Sequence, residues 1–173
     1  WVELYNGSDE TASLEGWQLQ WGKSGTYSGA VVFESGLSIA PGAWFLVGGS
    51  LVSGADVTTS FDMGNASSNS DAVRLVDCAS TVQDTVVYGP NNDDLWLDDE
   101  DEIASSFSEA PGKEKSSARR SDGADTEQSG ADFVVTESPT PGASNAGASV
   151  TGCVPGEMDV KINEILPDPE GMD

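Results

Sequence analysis

The sequence predicts an all-β protein built as an antiparallel β-sandwich. Three observations point there: apolar and polar residues alternate along short segments, turn dipeptides separate the segments, and no stretch sustains a 3.6-residue period. Anchors for a core are present, with 5 Trp, 5 Phe and 3 Tyr in 173 residues that are 37% apolar. A chain of this size has room for one ordinary domain and a linker.

The elements follow in order. Trp1 to Asn6 alternates and stops at the turn pair Asn6 and Gly7. Trp17, Leu19 and Trp21 alternate with Gln18 and Gln20, which gives one buried and one wet face. Val31 to Phe33 follows, and Pro41-Gly42 then turns the chain into Ala43 to Val47, apolar on both sides and therefore central in a sheet. Val73 to Val76 and Thr85 to Tyr88 read as a pair joined by a small turn, and Phe133 to Val135 is the last strand of the body. This body spans 1–145. A Gly-, Ala-, Ser- and Pro-containing linker covers 146–159, and 160–173 holds a fresh strand, Val160 to Leu166, and a turn.

Charge narrows the function. Asp and Glu number 30 against 7 Lys and Arg, with no His, for a net charge of −23. Such a surface repels phosphate backbones and anionic lipid, which argues against nucleic-acid binding. Without His there is no Ser-His-Asp triad and no His ligand, and 2 Cys make no Cys-rich zinc site. No apolar run approaches the roughly 18 residues of a membrane-spanning helix, and none reads as a signal peptide. The abundance of Gly, Ser, Thr and Asp beside scarce Lys predicts an extracellular or cell-surface protein.

Several motifs carry a family resemblance. Ile162-Asn163-Glu164-Ile165-Leu166-Pro167-Asp168, read on into Trp1-Val2-Glu3-Leu4-Tyr5-Asn6, resembles the opening of the lamin-tail domain family in its prokaryotic, secreted or surface form. The run Ser38 to Gly42 before Ala43 to Val47, the strand Asp71 to Leu75, and Val82 to Gly89 resemble its later elements. So do Lys115 to Arg120, Asp132-Phe133 and the closing Ser138 to Asn145. The resemblance implies an immunoglobulin-like sandwich used as a non-catalytic module. It also implies that the family's first strand is displaced here to the C-terminus.

That displacement predicts a body short of one strand, completed by a C-terminal strand donated in trans to the next copy. Val160, Ile162, Ile165 and Leu166 form the donated segment, and Val2 and Leu4 belong to the strand that receives it. The linker could extend on the order of 45–50 Å, enough for return to its own sheet or for donation. The two ends of the chain join without overlap or gap, as in a sequence cut once per repeat. The predicted function is a structural module of an extracellular filament or surface array, its partners copies of itself, with surface glycans or proteins as further partners. The alternatives are a calcium-dependent adhesion module and an accessory domain of a secreted nuclease or phosphoesterase.

Other residues invite sharper readings. Asp93, Asp94, Asp98, Asp99 and Asp101 form a candidate calcium loop, and Asp168, Glu170 and Asp173 a second; no cofactor is required, and a solvated acidic loop is the favoured expectation. Glu3 and Glu164, on neighbouring strands, are the most tempting glycosidase pair, and outward-facing carboxylates of alternating strands explain them better. Cys78 and Cys153 suffice for one disulfide. Trp1, Trp17, Trp21 and Trp44 are expected in the core, and Arg119 and Arg120 in surface ion pairs.

Overall fold

The computed structural model describes residues 1–145 and 159–167. Strands β1 (Val2–Asn6), β2 (Ala12–Ser13), β3 (Gln18–Lys23) and β4 (Thr26–Val32) come first, then β5 (Ser38–Ile39), β6 (Trp44–Gly48) and β7 (Val57–Thr58). β8 (Asp71–Val76) and β9 (Val82–Tyr88) precede β10 (Ser116–Arg119), a helical turn α1 (Ser129–Asp132), β11 (Phe133–Thr136) and β12 (Val160–Ile165).

These strands make an immunoglobulin-like sandwich. One sheet runs β11-β10-β12-β1-β6-β7, the other β4-β3-β8-β9, and β2 pairs with β5 beside them. All pairings are antiparallel except β6 with β7. The period-2 pattern explains the core. Val2, Leu4, Phe45 and Val47 of the first sheet meet Leu19, Trp21, Val73 and Leu75 of the second, all buried in one cluster. Where β4 passes β3, a Cβ on Gly29 would collide with the Trp21 indole, so only glycine lets the strand cross that ring.

The strand expected to leave for a neighbour lies instead in the sheet of its own chain. β12 sits between β1 and β10, a central place, and pairs with both. The reason is proximity: the Asn145 amide reaches the Asn163 carbonyl at 3.2 Å, so the chain leaves the body beside the slot it must re-enter. Closing a short loop is entropically cheap and gives the tethered strand a high effective concentration.

Two further expectations are corrected. Arg119 is not on the surface but only 1% exposed, among the largest fully buried side chains, and Arg120 bonds the Ala131 carbonyl rather than a carboxylate. Glu3 and Glu164 are both fully buried, because other segments cover the outer face of their sheet. Trp1, Trp17 and Trp21 are buried, whereas Trp44 is only partly covered.

Candidate functional site

The densest constellation of polar groups surrounds β12. Its backbone register fixes the arrangement: Val2 faces Ile165, Glu3 faces Glu164, Leu4 faces Ile162, and on the other side Ser117 faces Ile165. The register shifts between Glu3 and Leu4, which leaves Asn163 as the unpaired residue of a β-bulge. Val160, Ile162 and Ile165 enter the main core, while Leu166 packs with Trp1 and Leu46 in a separate cluster. Burying each such side chain is worth roughly 1.5–3 kcal/mol.

Polar contacts clasp the same strand. Arg119 of β10 donates from one terminal nitrogen to both carboxylate oxygens of Asp84 in β9, each at 2.8 Å, which ties the two sheets together. Its Nε donates to the Ile162 carbonyl at 2.7 Å, and the Ile162 N–H donates to Asp84. Its other terminal nitrogen meets the Ala124 carbonyl at 2.6 Å, and the guanidinium stacks 4.6 Å above the Phe133 ring. Burial works against the Arg119 charge, but Asp84, Asp125 and Asp132 more than offset it and hold its pKa above the ordinary value. Lys161 completes the group, 2.8 Å from Asp125 and 2.9 Å from the Gln83 carbonyl.

On the outer face, the two glutamates hold the closing segment. Glu3 accepts from Asn163 Nδ2 at 3.0 Å and from the Gly142 N–H, and Glu164 accepts from the Ser116 hydroxyl and from Thr140 N–H and Oγ1. Asn145 then donates to the Arg119 and Asn163 carbonyls at 2.9 and 3.2 Å. Burial, partly opposed by the Asn163 hydrogen bond, raises the Glu3 pKa to about 7, and burial raises that of Glu164 as well. Their oxygens are spent on backbone and side-chain donors, so the pair serves as a strap rather than as an acid and a nucleophile.

The candidate calcium residues do not converge. Asp98 accepts from the N–H groups of Glu100 and Glu102, each at 3.1 Å, and shapes its own turn. Asp99 turns inward, where burial and the Asp84 carboxylate push its pKa up to about 8. Among the described residues, Asp84, Asp99 and Asp125 are the acidic group whose oxygens lie within 4.8 Å of one another, and two cations, Arg119 and Lys161, already neutralise it. Asp168, Glu170, Asp173 and Cys153 lie outside the described residues, and Cys78 is exposed. A cleft of about 630 Å³ opens beside Trp1, Leu51 and Phe61, and its single carboxylate, Asp62, pairs with Lys23 at 2.9 Å.

Sequence reasoning overlooked Asp84, Asp122, Asn145 and Asn163 as members of this network. Only the adjacent polar pair Asn163 and Glu164, which breaks the alternation of β12, hinted at it.

A family model described as the lamin tail domain matches residues 1–90. No curated protein and no solved structure matches the chain.

Proposed function

Because the chain belongs to the lamin tail domain family, we propose that it is a non-catalytic structural unit of an extracellular series of like units. Each unit is closed by a ribbon equivalent to Val160–Leu166 that its neighbour supplies. In a unit that stands alone, with none before or after it, the unit's own ribbon takes the slot, as β12 does in the structure.

One observation carries this reading. Trp1 and Leu166 exchange both backbone hydrogen bonds, each 2.9 Å, so the start of β1 and the end of β12 meet as the two arms of a hairpin do. A chain running from Asp173 into the Trp1 of a following copy would place the ribbon beside that copy's β1 across residues 167–173, a longer connection than the commonest hairpin loops. Donation of this kind is heterologous and propagates along a series. The net charge of −23 keeps units apart everywhere except at the slot.

Shortening the linker tests the reading. Deleting residues 148–156 should strain return to the same sheet and yield concentration-dependent dimers and longer oligomers in size-exclusion chromatography with light scattering. A strictly monomeric, folded variant would argue against supply by a neighbour.

A further inference from the structure

The loop after β9 presents a second surface, independent of the slot. Asn92 staples it: its Nδ2 donates to the Trp96 and Ala104 carbonyls, both at 3.0 Å, and its Oδ1 accepts from the Trp96 N–H at 2.8 Å. Trp96 is buried against Ala72, Val87 and Ala104, with its indole N–H on the Ser70 carbonyl at 2.7 Å. Leu97 bridges Ile103 above that anchor. The loop is thus fixed, yet Leu95, Leu97 and Ile103 are 60%, 42% and 54% exposed. Six large aliphatic side chains are exposed among the described residues, and three share this one loop.

The surroundings select the partner. A cleft of about 330 Å³ opens between Leu95, Leu97, Tyr27, Val82 and Arg74, large enough for an aliphatic side chain. Asp98 and Asp101 line it, Asp93, Asp94, Glu100 and Glu102 belong to the same loop, and the sequence has no Lys or Arg between Arg74 and Lys113. A second copy is a poor occupant, because it brings a net charge of −23 and two of its 7 basic residues, Arg119 and Lys161, are committed to the β12 clasp. Nucleic acid and anionic lipid are repelled by the same field.

We propose that this loop docks a cationic amphipathic segment of another protein, whose aliphatic side chain enters the cleft while its Lys and Arg side chains meet the acidic rim. Charge complementarity would steer the encounter, and the exposed aliphatic residues would supply the contact that distinguishes a fitting segment from any polycation.

The test titrates the full chain with a synthetic peptide of alternating leucine and lysine, and with a lysine-only peptide of equal charge. The mixed peptide should bind about tenfold more tightly, since a leucine side chain leaves water for the cleft while the charge of the two peptides is the same. Amide shifts should concentrate at residues 93–104. The triple variant Leu95→Ser, Leu97→Ser, Ile103→Ser should keep its melting temperature and lose the preference. Equal binding of the two peptides, shifts spread over the whole acidic surface, or a preference that survives the substitutions would overturn the proposal.

Discussion

Arg119 and Asp84 grip the same residue of the C-terminal strand from two sides: the guanidinium Nε donates to the Ile162 carbonyl at 2.7 Å, and the carboxylate accepts the Ile162 N–H. The ion pair therefore both joins the sheets and fixes the register of β12. Removing one partner of such a buried pair costs about 3–5 kcal/mol, because the other is left uncompensated. Arg119→Met should lower the unfolding free energy by about that amount in urea titrations. Adding Asp84→Leu should cost less than the sum of the two single changes. Strict additivity would show that the pair does not act as one unit.

Two buried acids, Glu3 beneath the closing segment and Asp99 beside Asp84, give a signed pH dependence. Burial raises Glu3 from 4.5 to about 7 and Asp99 from 3.8 to about 8, so the folded state holds protons that the unfolded chain has released. Their contribution is fully present below pH 3.8 to 4.5 and is lost as pH rises through about 7 to 8. Unfolding free energy should therefore be higher near about pH 5.5 than near about pH 8.5 at fixed salt, by up to about 5 kcal/mol. Glu3→Gln should flatten this slope, since it removes one titrating group while the general repulsion of a −23 chain remains. An unchanged slope in that variant would remove Glu3 from the account.

Asn163 tests the bulge. Its amide joins Glu3 Oε1 and Asp122 Oδ1, both at 3.0 Å, and its side-chain oxygen accepts from the Gly123 N–H at 3.4 Å. Asn163→Ala leaves two buried carboxylates without that donor and should cost about 1–3 kcal/mol. Hydrogen exchange at Gly142 should quicken with it, because Glu3 no longer sits fixed beneath that N–H. Unaltered exchange there would mean that the closing segment is held by other contacts.

Gly29 bears on the opposite sheet. Gly29→Ala would push a methyl group into the Trp21 indole, which is 3% exposed in the core. A loss of about 1–3 kcal/mol is expected from such overpacking, together with a red-shifted tryptophan emission. A variant as stable as the parent would show that β4 can move away at little cost.

Much of this architecture is legible in the chain. Alternation marks β3 through Trp17, Leu19 and Trp21, because a half-buried strand needs a period of two, whereas β1 is buried on both faces. β10 is silent in that code: Ser116, Ser117, Ala118 and Arg119 offer no apolar alternation. They are buried through hydrogen bonds instead, Ser116 to Glu164 and Ser117 to Ser108 at 2.6 Å. Glu3 and Glu164 look solvent-facing in sequence because their donors, Gly142 and Thr140, lie far from them along the chain. That β12 returns to its own sheet is not legible in the sequence, because residues 146–158 are long enough for either route.

β12 closes its own sheet in the single chain, and the proposed donation to a following unit is tested most directly in a tandem chain. A chain in which residues 1–145 follow Asp173 directly can be given a protease site within the 146–158 segment of its first copy, cut under native conditions and passed through gel filtration. Separation into a ribbonless first body and a folded second unit that keeps the ribbon is the predicted result. Co-elution of the two halves as one stable complex, with the ribbon still seated in the first body, would contradict it.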